Sequence, residues 1–580
     1  MKRFIPNLLA AAVAFSSMES MAAADLVLFN GKVFTADQAQ PQVQAIAVEN
    51  GKILQVGSDA AIKALADANT KLVDLGGKRL MPGLIDSHSH AIFGGLELAA
   101  ANMQDELVSV DELEKRLRGW QADGRAVHGD VLQVSGMNSG AWAEAEALGK
   151  RFNQGEWAKL PIVFIGSDHH TAWANAAMLK RAGIDKALIA SLAKGERDTI
   201  GILKNGEPSG FLVDAGWDRV ASVLPAISPA ELLRGAEAAV QLNNSLGITA
   251  WMDPAANAAP GEAVFDLKPT EKSVGVLPAY KALSEKGGLN AHVAALLVAN
   301  PKSRPADLDV LAKVRQQFQG VNNLSLPGIK IFADGVLEFP AQSAALLGHY
   351  HNSDKQGELL IDPAHFGELV SAADARGWLV HIHAIGDRAV RESLNGIEQA
   401  RKDRQSGVTH SITHLQLVNP QEFARFKPLG VIASMQLLWA GADAYTTDMV
   451  KPYVDADAYR YLYPAHSLLA QGATIAGASD WPVSSPNPWN AIAQAVTREG
   501  EKGVLNADER IDRETMFYAY TLNAAKTIGL EQQIGSLSAG KQADFVVLDR
   551  DVFSVDNKAL SDTQVLATYF AGHQVYAPAQ

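Results

Sequence analysis

The pattern of apolar and polar positions changes character twice along the chain. Near the start, Leu26 to Phe29 and Val33 to Thr35 flank Asn30-Gly31, and Ala45 to Val48 and Ile53 to Val56 flank Asn50-Gly51. Asn-Gly between two apolar runs predicts a β-hairpin, because both residues tolerate the positive φ of a tight turn, so two hairpins are expected here. Similar β material returns at the far end, in Phe545 to Leu548, Val565 to Phe570 and Val575-Tyr576. Chain ends often lie close together, and residues 25–80 and 535–580 are expected to build one small composite β-sandwich.

Between these ends, over 81–534, short apolar runs alternate with longer helical patterns. The clearest runs are Pro161 to Gly166, Gly247 to Met252, Gly328 to Phe332, Leu379 to Ala384, Val431 to Gln436 and Ala473 to Ala478. Such alternation indicates βαβ units and a parallel sheet, an α/β fold expected to close as a (β/α)₈ TIM-like barrel. Segments near 100–160 and 185–215 are too long to be simple connections and read as insertions capping the barrel mouth. No repeat of fixed period and no low-complexity tract interrupts the pattern.

Composition narrows the function classes. A chain of 580 residues, 47% hydrophobic and 20% charged, can bury a large core without covalent staples. Lys2 and Arg3, the apolar stretch Leu8 to Phe15 and the small residues Ala22-Ala23-Ala24 form a signal-peptide pattern over residues 1–24, with cleavage expected before Asp25. This predicts a secreted protein, with the bacterial periplasm the best-fitting compartment. No later apolar run is long enough for a membrane helix. The absence of cysteine excludes disulfides and every thiolate chemistry. The formal charge of −13 becomes −14 without the signal, which removes Lys2, Arg3 and Glu19. An acidic chain argues against nucleic acid or an anionic membrane as partner and leaves a small-molecule substrate; self-association stays open.

Most apolar runs end at a residue able to bind a metal. Gly83 to Asp86 leads into His88-Ser89-His90, and on an extended strand His88 and His90 share a face. A lone His-x-His pair is weak evidence, but behind a Pro-Gly turn and a buried strand it gains weight. Lys330 follows Pro327-Gly328-Ile329. It is either an exposed strand-end lysine or a buried one, and burial of the charged amine is costly unless it is paired or converted by CO₂ to a carbamate that bridges two cations. His383 ends Leu379 to His383, with His381 one step deeper on the same face as a packed, hydrogen-bonded histidine; His414 ends Ile412-Thr413-His414. Asp480 closes Gly477 to Asp480, where a turn or helix-capping aspartate is the alternative. Imidazole and carboxylate donors at successive barrel strand ends suit a divalent metal, zinc by default, one or two per chain. Serines such as Ser139 lack any nucleophile-elbow context.

At these residues the sequence resembles the amidohydrolase superfamily and, more narrowly, its YtcJ-like branch, which includes N-substituted formamide deformylases. The resemblance covers nearly the whole mature chain. It rests on Met81 to His90, Asp168 to Asn175, Lys330 to Gly335, His383 to Arg388, Ser479 to Val483, Ala495 to Arg498 and Gly535 to Asp544. It implies His88, His90, His383 and His414 as metal ligands, Lys330 as a bridging carboxylated lysine, and Asp480 as the catalytic acid/base that also touches the metal. His170, Trp173, Trp439 and Trp481 are candidates to wall the substrate pocket, with plain packing the alternative for the tryptophans. Thr413 stands where the branch commonly has glutamate, Leu437-Leu438 replaces a proline-containing stretch, and Asp214 takes a place often held by glutamate.

The expected reaction is hydrolysis of a non-peptide C–N bond in an amide, cyclic amide or formamide by metal-activated hydroxide, with Asp480 moving the proton. Ester or lactone hydrolysis would use the same site. A catalytically silent periplasmic binding or regulatory protein could keep the barrel but would have no need of Asp480.

Overall fold

The computed structural model describes residues 23–579 except Ala99, Gly261, Ala263 and Gln405. Residues 1–22, which carry most of the expected signal peptide, lie outside the described residues. The centre of the fold is an eight-stranded parallel sheet, which positions everything else. Its strands are β1 Leu84–Asp86, β2 Ile248–Asp253, β3 His292–Val298, β4 Leu324–Phe332, β5 Leu379–Ala384, β6 His410–His414, β7 Val431–Met435 and β8 Thr474–Gly477, neighbouring one another in that order. The register runs Trp251↔Asp86, Val298↔Lys330, Phe332↔His383, Ala384↔His414 and Met435↔Gly477. Backbone bonds from Ser87 N to Gly477 O (3.0 Å) and from Asp480 N to His88 O (2.8 Å) then bring the first and last strands together.

Aliphatic side chains and Met252 fill the barrel, among them Ile85, Ala250, Leu296, Ile432 and Ala476, and Ala525, Ile528 and Ile534 pack against the same cluster. β3, His-Val-Ala-Ala-Leu-Leu-Val, is buried at every position and so carries no alternation to mark it in the sequence. The run Pro161 to Gly166, by contrast, is not a barrel strand.

Ile162–Gly166 instead lies within a second, six-stranded sheet inserted between β1 and β2. That sheet has the order Ile200–Ile202, Pro208–Val213, Thr171–Ala174, Ile162–Gly166, Val131–Met137, Val127–His128. The two expected insertions are therefore one continuous subdomain. One of its cores gathers Leu117, Trp142, Phe152, Phe164 and Trp173, and the other gathers Val163, Met178, Leu179, Ile189, Leu212 and Trp217. With both faces covered, Ile162–Gly166 is buried throughout and reads like a barrel strand.

The ends of the chain share a third sheet. Phe545–Leu548 pairs antiparallel with Arg79–Pro82 on one side and with Val565–Phe570 on the other, and Arg79–Pro82 pairs parallel with Lys32–Phe34. A four-stranded sheet of Lys52–Gly57, Ala45–Glu49, Leu26–Phe29 and Lys71–Asp74 packs on it through Leu28, Val48, Leu80, Phe545 and Tyr569. Asn50-Gly51 makes the expected hairpin, whereas Asn30-Gly31 does not. Leu26–Phe29 and Lys32–Phe34 belong to different sheets, so this Asn-Gly is a corner crossing the sandwich. Leu75 lies so close to Gly31 that a Cβ there would fall 2.4 Å from its Cδ1. Gly83 alone separates Arg79–Pro82 from β1, which ties the sandwich directly to the strand that leads to His88.

Candidate metal centre and active site

Six of the residues singled out in the sequence converge above the C-terminal ends of the barrel strands. His88 and His90 follow β1, Lys330 sits in β4, His383 in β5 and His414 at the end of β6, and Asp480 follows β8. Asp86 aligns the first and last of these. Its Oδ1 accepts from His88 N (3.1 Å) and Ser479 N (3.0 Å), and its Oδ2 from Ser479 Oγ (2.5 Å). His414 and Asp480 both have left-handed backbones, φ 78° and 57°, a strain that persists only where the surroundings over-determine the geometry.

Hydrogen bonds assign the imidazole atoms. His88 Nδ1 lies 2.6 Å from His381 Nε2, and His381 Nδ1 lies 2.6 Å from Ser411 Oγ. This relay fixes the His88 ring and leaves Nε2 as its ligand atom. His381 is thus the packed histidine expected. His383 Nε2 faces Gly335 O at 3.0 Å, leaving Nδ1 available. His414 Nδ1 meets Gln436 Oε1 at 3.1 Å, and Gln436 Nε2 donates to Thr413 Oγ1 at 3.2 Å. Thr413, the departure from the family pattern, therefore acts behind a ligand candidate. Burial pushes His88, His381, His383 and His414 well below the usual histidine range, so all four rings are neutral, and His88, His383 and His414 each keep a ring nitrogen free to act as a ligand.

The donor set fits a divalent cation. One ligand atom each from His88, His414 and Asp480 lies within 4.8 Å of the others. Asp480 Oδ1 approaches His88 Nε2 to 3.1 Å and His90 Nε2 to 3.4 Å, yet it is buried without a hydrogen-bond partner, as is His90 Nδ1. Lone pairs crowded in this way call for a cation between them. Burial raises the Asp480 carboxyl, but the neighbouring His90, His414 and Lys330 bring it down to about 2. Lys330 is wholly buried with no hydrogen-bond partner, 4.8 Å over the Phe332 ring, and burial lowers its amine to about 7.

The inserted subdomain supplies the opposite wall. Asp168 Oδ1 accepts from His170 N (3.0 Å) and Thr171 N (2.9 Å), which aims His170 inward, 5.4 Å between ring centroids from His383. His170 Nδ1 then meets Asp214 Oδ1 at 2.8 Å. Burial alone would lower His170, but the Asp214 carboxylate outweighs it and raises the ring above its ordinary value. Asp214 lies 44 residues further on, and no local sequence signal pairs it with His170. Ser411 and Gln436 were equally invisible as partners.

His170 and the six barrel residues line one cavity of about 580 Å³. None of the three tryptophans joins that lining. Trp173 packs in the subdomain core on Phe164, with Nε1 donating to Ser209 O (3.2 Å). Trp481 lies against Gly94, where a Cβ would fall 2.3 Å from its ring. Trp439 stacks on the His414 ring at 5.7 Å and 6°.

Comparison with known proteins agrees with this geometry. The model of the "Amidohydrolase family" matches residues 71–576. The chain is 32% identical over 564 residues to Protein LONG AFTER FAR-RED 3 of Arabidopsis thaliana, covering 95% of this chain and 92% of that protein. It is 25% identical to the N-substituted formamide deformylase of Arthrobacter pascens, covering 94% and 97%. Its fold is similar to that of an uncharacterized metal-dependent hydrolase from Pyrococcus horikoshii OT3, at TM-score 0.69 and 24% identity over 92% of this chain and 99% of that one. The chain belongs to the amidohydrolase family, whose members are metal-dependent hydrolases.

Proposed function

We propose that the protein hydrolyses a non-peptide C–N bond, in an amide, cyclic amide or formamide, with Asp480 as general acid and base. The observation that carries this reading is the Asp480 carboxylate itself, buried between His88 and His90 with one oxygen free of hydrogen bonds. The similarity to an N-substituted formamide deformylase supports the same bond type. His88, His90, His383, His414 and Asp480 would hold one or two divalent cations, zinc by the nature of the donors, with Lys330 bridging if carboxylated. Lysine buried and near neutrality is readily uncharged, the form that adds CO₂. A bound cation supplies Lewis acidity, which brings water within reach of ionisation near neutral pH and polarises a carbonyl.

The chain's own groups then divide the work. Asp480, held ionised, accepts the proton of the attacking water and returns it to the departing nitrogen, which is a poor leaving group until protonated. The Ser411–His381–His88 relay keeps one ring from turning during that transfer. His170, clamped by Asp214, orients the substrate from across the cavity. In the periplasmic setting read from residues 1–24, the substrate would be a small molecule met outside the cytoplasm.

Metal analysis of the purified protein with parallel amide and ester panels tests the reading. Bound metal with amide turnover is expected. Turnover of esters or lactones alone would transfer the site to the rival hydrolysis, and a metal-free protein inert to both panels would leave a binding role.

A further inference from the structure

A second carboxylate–imidazole pair lines the same cavity as Asp480 and takes no part in the proposed proton transfer. Glu97 ends the helix Ala91–Glu97, which begins directly after His90, and His169 stands beside His170 on the turn between Ile162–Gly166 and Thr171–Ala174. His169 Nε2 lies 3.3 Å from Glu97 Oε1, yet the two make no hydrogen bond and Nε2 is buried without a partner. Only the other carboxylate oxygen is satisfied: Asn102 Nδ2 donates to Oε2 at 2.8 Å. Among the described residues no lysine or arginine pairs with Glu97, and burial pushes its carboxyl up to about 8. Burial likewise holds His169 down to about 4, so its ring is neutral; the ionisable groups that act on it are His90, Asp480 and His170, within reach of one small substrate.

The pair is preformed and held at a cost. Asn102 Oδ1 accepts from Gln104 N at 2.7 Å, and a Cβ on Gly136 would fall 2.1 Å from that oxygen, so the amide that grips Glu97 is itself fixed. His169 has φ 56°, a backbone that suits glycine and persists in other residues only where the surroundings over-determine it. No hydrogen bond of its buried Nε2 offsets that strain.

We infer that Glu97 and His169 form a subsite for a primary ammonium group of the substrate, apart from the bond that is cleaved. Two acceptors face each other with no donor between them, and an ammonium brings three donors together with the positive charge that Glu97 lacks. A hydroxyl would bring one donor and no charge, and a carboxylate or phosphate would be repelled by Glu97. Bound there, the cation keeps Glu97 ionised against its burial, and His169 accepts through Nε2. The proposed C–N hydrolysis enters only in what is cleaved; the subsite stands on Glu97 and His169.

Amides with an ω-amino group, on the acyl chain or on the nitrogen substituent, are compared with methyl-terminated amides of equal length on the metal-loaded full chain. In one of the two series the best amino member is expected to exceed its match in kcat/KM by about ten- to a hundred-fold, the worth of hydrogen bonds to a charged group, with the gain in KM. Glu97→Gln should cut that ratio at least about tenfold. His169→Gly, which relieves the backbone, should cut it about fivefold with no loss of Tm. Equal kcat/KM within every matched pair, or a ratio unchanged in Glu97→Gln, would overturn the subsite and leave C–N hydrolysis standing. If no amide is hydrolysed, the C–N reading fails, and the subsite is judged by calorimetry of hexylammonium chloride against hexanol on the full chain. A preference for the ammonium that Glu97→Gln abolishes upholds it, and equal affinities overturn it.

Discussion

The two walls of the active site are built by different means. On the metal side, Lys330, His383 and His414 lie within strands whose neighbours on both sides fix the backbone and His88, His90 and Asp480 come just after two others, and rings are held by buried relays such as Ser411–His381–His88. On the opposite side, His170 stands on the turn between Ile162–Gly166 and Thr171–Ala174 of an inserted sheet, and its ring is held by a single carboxylate, Asp214. The first wall is continuous with the fold and cannot move without unpicking the barrel. The second arrives on a subdomain with two cores of its own and can vary without disturbing the metal ligands. With Asp480 and His170 in their proposed roles, the chemistry is separated from the recognition of the substrate, a division the barrel architecture favours by placing its sites on loops above the strands.

The sharpest way to break this division is Asp480→Asn. The amide is isosteric and keeps a donor oxygen, but it cannot carry the proton. kcat is expected to fall about 10²- to 10⁴-fold, with metal content and circular dichroism near those of the parent. A variant that retains metal and most of its activity would remove Asp480 from proton transfer and the metal wall from its role as the seat of chemistry.

Asp214→Asn probes the other wall. It keeps the shape around His170 but weakens the hydrogen bond that orients the ring, and kcat/KM is expected to fall about 10- to 100-fold through misplacement of the substrate. Metal content should not change. Loss of metal alongside activity would show that the walls are one unit and that the separation is mistaken.

Legibility in the sequence follows the same division. His88, His90, Lys330, His383, His414 and Asp480 could be read because each lies in or close behind a short apolar run, and strand periodicity places His88 with His90 and His381 with His383 on one face. The relays behind them could not. Ser411 meets His381 across a parallel pair, and Gln436 reaches His414 from the next strand, contacts that depend on register rather than local pattern. The inserted subdomain misled the reading for a physical reason. Ile162–Gly166, covered on both faces, has the same continuous apolar signature as a barrel strand, whereas β3 was passed over for want of a marker at its end. Likewise Asn30-Gly31 carries hairpin chemistry but is used to cross between two sheets, because the pairing partners of its flanking strands come from residues 42–49 and 71–82. Trp173 shows the converse error: it lies three residues from His170 on the same strand-and-turn segment, yet points into the subdomain core.

The smallest expected effect concerns how the two walls are held together. Tyr445 opens a one-turn π-helix, Tyr445–Val450, in the loop after β7, and its hydroxyl donates to Asp105 Oδ1 of the subdomain at 2.6 Å. Ser167 Oγ donates to the same carboxylate oxygen at 2.7 Å, one residue before Asp168, which positions His170. The barrel loop is thus tied through Asp105 to the turn that carries the recognition wall. Tyr445→Phe removes the hydroxyl and keeps the ring. Asp105 is exposed enough for water to replace the lost donor, but the hydroxyl also accepts from Ser139 N at 3.3 Å, so the cost should be that of one to two ordinary hydrogen bonds, about 1–2 kcal/mol, or about five- to thirty-fold in an equilibrium. Because the contact lies outside the metal wall, the change should appear in KM, with kcat and metal content steady. Hydrogen exchange should rise in the turn over 167–170 and in the loop over 441–450 while β1 and β8 stay protected. An unchanged KM with unchanged exchange would mean that the subdomain is seated by its apolar contacts alone, and a fall in kcat of similar size would mean that the seating of this wall also sets the reacting geometry.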